Sequence, residues 1–273
     1  MSIVPVWTLI LGAAVFFYVV LDGFDLGIGI LYNFAGSRGD RQSMMNSIAP
    51  VWDGNETWLV LGGLGLLAAF PVAFAIILPA VYFPILVMLL ALVFRGVAFE
   101  FQFRDAEHRH FWDHAFSIGS AVATFAQGIV LGAFIQGFDV EGRHFVGGSF
   151  DCFTPFSLFT GLALMCGYSL LGACWLILKT EGALAERARR WARAAFLGTL
   201  AAVGVVSLWT PFIDPDIARR WFSWPNILFL SPVPLATAVT GLLWWRAVAK
   251  KQEVAPFIYA ILLFTLAYLG IAI

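Results

Sequence analysis

Three stretches of the sequence put ionisable side chains inside otherwise apolar segments. The first reads VVLDGFDLGIGIL and carries Asp22 and Asp25, three residues apart and so on one face of a helix. The second, SIAPVWDGNETWLVLGG, carries Asp53 and Glu56 at the same spacing, with Trp52 ahead of them and Asn55 between. The third, LVFRGVAFEFQFRD, carries Arg95 and Glu100. Desolvation favours the protonated form of a carboxyl group and a nearby guanidinium favours the carboxylate. An acid balanced between the two can take up and release protons near neutral pH. Two blander readings stand beside this one. Asp53 could cap the start of its helix, and an aspartate could sit in a buried ion pair with Arg95.

The elements that must position these groups follow from composition. Of the 273 residues, 61% are hydrophobic and 12% charged, with a mean hydropathy of +0.87. A soluble domain is nearer ~45–50% apolar and ~25% charged. These figures exclude a soluble globular enzyme and a disordered chain. The net charge of −1 leaves no field that would draw a polyanion, so no nucleic-acid partner is expected.

A helix needs ~20 apolar residues to cross a ~30 Å hydrocarbon core. Eight stretches qualify, at about 4–31, 49–70, 72–94, 112–135, 155–178, 192–212, 226–248 and 255–273. The runs are continuous rather than alternating, which argues against a strand barrel. The expected fold is therefore all-α, with about eight transmembrane helices in one integral-membrane domain, residues 1–273. By length the helices divide into two four-helix bundles, at about 1–135 and 155–273.

Lys and Arg fix the expected orientation. Thirteen of the 16 cations fall in the connections after the first, third, fifth and seventh stretches, and three (Arg143, Arg219 and Arg220) fall on the other side. The positive-inside rule then puts the N-terminus outside. Tryptophans near the segment ends form the matching interfacial belt. Asp22 lies ~27 Å of helix rise beyond Val4. Both acids of the first segment thus belong to the cytoplasmic third of the membrane, as do Asp53 and Glu56. No Lys or Arg precedes Arg38, so the first segment lacks the basic start of a cleavable signal and is expected to be retained.

Small residues flank the acids. Gly23 and Gly27, and later Gly128 and Gly132, have the GxxxG spacing that permits close helix approach. The three cysteines show no metal spacing and read as small buried apolar residues. His108, His110, His114 and His144 lie in loops or at a helix start, so no mid-helix haem ligand is expected. There is no phosphate or dinucleotide fingerprint either. By itself the chain reads as redox-silent.

DGFDLGIGIL (22–31), SIAPVWDGNETWLV (47–60) and FRGVAFEFQFRD (94–105) together resemble subunit II of cytochrome bd-type quinol oxidases. The short loops resemble the cyanide-insensitive branch most. The likeness is strong over the first ~130 residues and looser to the end, by the motif reading used above.

The resemblance implies a subunit of a terminal oxidase of the bacterial inner membrane. Such an enzyme oxidises ubiquinol or menaquinol, reduces dioxygen to water, draws its protons from the cytoplasm and does not pump. It implies that the haems, two b-type and one d-type or b-type in its place, belong to the partner subunit I, with no cofactor held by this chain. Small single-helix subunits and a bound quinone occur in some members. It further implies a proton pathway through Asp53, with Asp22, Asp25 and Glu56 beside it and Trp52, Asn55, Arg95 and Glu100 as a polar cluster. Members run on into a ninth helix, which is expected to be absent here.

A proton-coupled secondary transporter using the same acids is the alternative. Transporters tend to place their sites near the midplane and to carry internal repeats. Here the acids are off-centre and no repeat is evident. A purely structural helix bundle would leave the clustered acids unexplained.

Overall fold

Pro5 opens the first helix in its first turn, where a missing N–H costs nothing. That helix, α1 (Val4–Leu31), runs on into a 3-10 turn at Tyr32–Phe34. A computed structural model describes residues 3–105, 107–213 and 215–272. Ile273, the last residue of the eighth expected span, lies outside them. After α1 come α2 (Arg38–Ile48), α3 (Trp52–Ala69), α4 (Pro71–Ala80), α5 (Tyr82–Arg104) and α6 (Arg109–Gln136). A two-residue hairpin, β1 (Val140–Glu141) with β2 (His144–Phe145), leads to α7 (Pro155–Lys179) and α8 (Gly182–Ile213). The described chain closes with α9 (Pro215–Phe222), α10 (Asn226–Leu230), α11 (Pro232–Ala249) and α12 (Ala255–Ala272).

The molecule is an all-α membrane protein. The expected count of eight spans is corrected to six helical segments long and apolar enough to cross a bilayer, with shorter apolar helices beside them. The two expected spans outside that set are those at 49–70 and 255–273, the latter counted among the shorter apolar helices as Ala255–Ile271. The expected third span divides at Val81, which leaves helical geometry at φ −118° and ψ 24°. Pro84 has no N–H to offer the carbonyl one turn back, so the ladder breaks there. α10 and α11 together make one apolar span, Asn226–Ala249, with Ser231 between them at φ −57° and ψ −27°. α3 has a polar first turn, so it is less apolar than its neighbours.

α2 was not expected. Ser37 caps it by accepting from the Asp40 amide at 3.1 Å. Its Met44, Met45 and Ile48 are fully buried, so it folds back with one apolar face on the bundle.

α1 is the centre of the packing. It lies against α3, α6 and α7, while α5–α6, α6–α7, α7–α8 and α11–α12 are neighbouring pairs. The glycine seams do what their spacing suggests. A Cβ on Gly27 would stand 1.8 Å from the Tyr168 carbonyl oxygen, and one on Gly128 would stand 2.5 Å from the Gly161 Cα. α7 thus meets both α1 and α6 almost backbone to backbone.

Candidate functional site

Three helices bring the predicted acids together at the end of the bundle where Arg38 and Arg41 lie. α1 supplies Asp22 and Asp25, both fully buried. α5 supplies Arg95, whose Nη1 lies 2.9 Å from Asp22 Oδ1 and 3.6 Å from Glu56 Oε2. α3 supplies Glu56 and Asn55, and Asn55 Nδ2 donates to Asp25 Oδ2 at 2.8 Å. The Arg95 side chain is 1% exposed. The ion pair foreseen as a bland alternative is therefore present, but it is only part of the cluster.

The remainder is under-satisfied. Asp22 Oδ2, Asp25 Oδ1, and Arg95 Nε and Nη2 are buried with no hydrogen-bond partner. A buried polar atom normally finds one. Bare acceptors and donors at one level are the kind of surface that ordered water bridges.

Glu56 opens the cluster to the outside. It lines a cleft of about 390 Å³ between α3 and α5, together with Trp52, Asp53, Leu89, Val93 and Gly96. Trp52 braces one side by packing on Phe99 with ring centroids 5.0 Å apart. Asp53 is exposed at the cleft. It does not cap α3, whose N-cap is Val51 with no side-chain capping bond. The sequence reading of Glu100 as part of the cluster needs correction. Its side chain is 57% exposed and pairs with Arg104 at 3.4 Å, one turn along α5. The helical register that turns Arg95 inward turns Glu100 away.

Two further polar groupings went unforeseen. Near the ends of α1 and α5, Tyr32 Oη and Gln102 Nε2 each donate to Asp113 Oδ1 at 2.8 Å. Arg41 of α2 pairs with Asp113 Oδ2 at 3.3 Å, and Gln102 also contacts the Tyr32 hydroxyl. Deeper in the bundle, Gln127 of α6 bridges two tyrosines. Its Nε2 lies 2.6 Å from the Tyr18 hydroxyl, and the Tyr168 hydroxyl lies 2.9 Å from its Oε1. The available signal was a lone amide inside an apolar run, ATFAQGIVLG.

Outside the spans, α2 is fastened to α8 by Asp40 and Arg187 at 2.8 Å. Partial burial pulls the Asp40 carboxyl up, but hydrogen bonds from Ser37 and Arg187 and the Arg187 charge outweigh it and hold it below its usual range.

His108, His110, His114 and His144 are all exposed, so no imidazole faces the bundle interior. Among the described residues no three His, Cys, Asp or Glu side chains group as a metal site. The residues present do not fit an imidazole-ligated haem within the bundle.

Comparison with known proteins agrees with the motifs. The family model for cytochrome bd terminal oxidase subunit II matches residues 3–273. The chain is 34% identical over 223 residues to cytochrome bd-I ubiquinol oxidase subunit 2 of Escherichia coli (strain K12), covering 78% of this chain and 59% of that one. It is 30% identical over 249 residues to a probable cytochrome oxidase subunit 2 of Haemophilus influenzae, covering 88% and 65%. The cytochrome bd ubiquinol oxidase subunit 2 of Bacillus subtilis matches at 30% identity over 197 residues, covering 70% and 58%. The chain thus spans about three-fifths of the length of these curated relatives, from 58% to 65%. In fold it is similar to a chain of the bd oxidase from Geobacillus thermodenitrificans, with a TM-score of 0.78 at 17% identity, covering 99% of this chain and 83% of that one. With the family model matched along residues 3–273, the chain belongs to the cytochrome bd terminal oxidase subunit II family.

Proposed function

We propose that this chain serves as subunit II of a membrane quinol oxidase that couples oxidation of ubiquinol or menaquinol to reduction of dioxygen to water. The observation that carries this reading is the α3–α5 cleft, where Glu56 and Asp53 stand at the edge of an apolar surface and Glu56 contacts the buried Arg95. A charge at mid-membrane costs ~2.5–3.5 kcal/mol even on a lenient scale. Exposed carboxyls beside the outward-facing Leu89, Leu90 and Val93 therefore need covering by protein. The haem-bearing subunit I is the cover proposed here, with the haems and the oxygen chemistry on its side and none on this chain.

In this reading Asp53 and Glu56 collect protons at the cytoplasmic side and pass them toward the partner. Asp22, Asp25, Asn55 and Arg95 hold the inner wall of the path. The cation distribution supports an N-terminus outside. The two four-helix halves would meet along α1, α6 and α7, forming a single integral-membrane domain of the bacterial inner membrane. The short connections support the cyanide-insensitive branch. Glu100, paired with Arg104, has no part in the path. Small single-helix subunits and a quinone bound to this chain remain features of related oxidases, with no contact assigned to them here.

The test is co-expression with a haem-bearing subunit I. Quinol-driven oxygen consumption should appear in the purified complex, with the haem spectrum following subunit I. Asp53→Asn and Glu56→Gln should each lower turnover by about tenfold or more, the scale of a positioned proton donor, with the haem spectrum unchanged. Solute uptake into vesicles by this chain alone, with no oxidase activity in the complex, would overturn the proposal in favour of a transporter.

A further inference from the structure

A second cavity, apart from the α3–α5 cleft, lies between α7, α8 and the turn that ends α1, with a volume of about 310 Å³. Small residues leave the gap, Ser169 on α7 and Ala194 and Ala195 on α8. Phe34, Met165 and Trp191 wall it. It opens sideways, since Ala194 is exposed and Phe34 is 64% exposed. Away from Phe34 it runs out onto an apolar surface, because Leu162 and Leu197, a turn farther along α7 and α8, are exposed too. The Phe34 end is cationic. Arg187 stands one turn before Trp191 on α8, and Asp40 holds its Nη1 at 2.8 Å. The guanidinium lies against Gly36, two residues past Phe34, where a Cβ would stand 2.1 Å from Nη1. Arg38 lies between Gly36 and Asp40 in the chain, and Arg190 one turn before Ala194. Both are exposed. Asp40 offsets one of these charges, and Glu186 turns instead to Lys251 at 2.9 Å. The lip keeps an excess of positive charge.

We propose that this groove holds an acyl chain of an anionic phospholipid, with the lipid phosphate among Arg187, Arg190 and Arg38. Shape and charge together favour this occupant. The groove is apolar and open along its side, so a chain can enter it from the bilayer. The cations stand at one end only, where the chain would join its headgroup. Basic pockets between membrane helices hold phosphate-bearing headgroups in this way. Trp191 stands near that junction, and indole rings favour headgroup level. Arginine stems can lie along apolar surface while their heads reach the phosphate. A neutral chain, such as a quinone tail, would fill the groove but make no use of the arginines. The salt bridge to Asp40 fixes Arg187 at the mouth in advance, so less side-chain freedom is lost when the phosphate arrives. The site is separate from the acid cluster and does not rest on the oxidase reading.

The experiment uses the full chain, with any subunits that purify with it, in phosphatidylcholine nanodiscs. The probes are phosphatidylglycerol and phosphatidylcholine with brominated acyl chains, which quench tryptophan on contact. The Trp191 signal is the parent fluorescence minus that of Trp191→Phe. Brominated phosphatidylglycerol should quench it at a membrane fraction about tenfold lower than brominated phosphatidylcholine does. Arg190→Gln and Arg38→Gln should each cut that preference about fivefold, the effect of one cation at the membrane surface. Ala194→Phe, which fills the groove, should remove the preference with every arginine in place. Lys250→Gln takes an exposed charge from the same end of the bundle but away from the groove, and should change nothing. Arg38, Arg190, Ala194 and Lys250 are all exposed, so folding is not at stake. Equal quenching by the two lipids in the parent would overturn the proposal, as would a preference that survives both arginine changes. A Trp191 that neither lipid quenches would overturn it too, since another subunit or a neutral chain would then fill the groove. Fluorescence needs no turnover, so it reads this site whether or not the oxidase reading holds.

Discussion

The acid cluster and the Asp113 cluster are built from similar parts and finished differently. Each buries a carboxylate against an arginine and an amide side chain. Around Asp113 both carboxylate oxygens are occupied, Oδ1 by Tyr32 and Gln102 and Oδ2 by Arg41. Around Arg95 each of the two buried aspartates keeps one bare oxygen, and the guanidinium keeps two bare nitrogens. The Asp113 carboxylate is fully satisfied, with Arg41 Nε and Gln102 Oε1 the buried atoms left over there. At Arg95 the carboxylates themselves are left short, and an unpaired buried charged group is the costlier kind. The first ties the 3-10 turn, α2, α5 and α6 together. The second joins α1, α3 and α5 through groups left short of partners, at a cost in stability.

The comparison can be broken most directly at Arg95. Arg95→Leu leaves buried carboxyls without their cation, a change expected to cost about 3–5 kcal/mol. Thermal unfolding should show it as a large drop in melting temperature or as loss of assembled complex. A near-parental melting curve would mean the cluster is already neutral and would remove the contrast. Asp113→Asn should cost less, about 1–3 kcal/mol, the scale of unsatisfied buried partners. Turnover per folded complex should be unchanged, and a fall in turnover would make the Asp113 cluster functional too.

The smallest effect concerns Asp40, the clasp between α2 and α8. Its folded-state value lies below the usual one, so its stabilisation is fully present above the unfolded value of about 3.9. It is lost as pH falls through the folded value. The protection of α2 amides, relative to their intrinsic exchange at each pH, should stay flat from neutral pH down to about 5 and fall only near and below about 4. In Asp40→Asn that acid-dependent fall should be missing.

Much of this was legible in the residues themselves. Asp22, Asp25, Glu56 and Arg95 stood out because charges are rare in apolar runs, and they meet as their helical spacing suggested. GxxxG pairs at Gly23/Gly27 and Gly128/Gly132 located real close approaches. Periodicity did not show that the third expected span divides, because a proline that breaks the ladder at Val81 leaves hydropathy untouched. Nor could it find α2, although Ser37 followed by Asp40 and the later Met44, Met45 and Ile48 carry a cap and an apolar face. The inward turn of Arg95 and outward turn of Glu100 depend on which neighbour α5 meets. That information lies in the tertiary packing, as does the meeting of Tyr18, Gln127 and Tyr168.

The α1–α7 crossing has a mechanical consequence. Side chains normally act as a lubricating layer, letting one helix slide past another by changing rotamers. At Gly27 and Gly172 there is no such layer, and main chain rests on main chain. The pair can only travel as one beam. Tyr168 is anchored at that joint and Tyr18 and Asp22 stand on the other member, so the spacing between them is held stiff. Any movement that accompanies turnover must be carried by the helices around this beam.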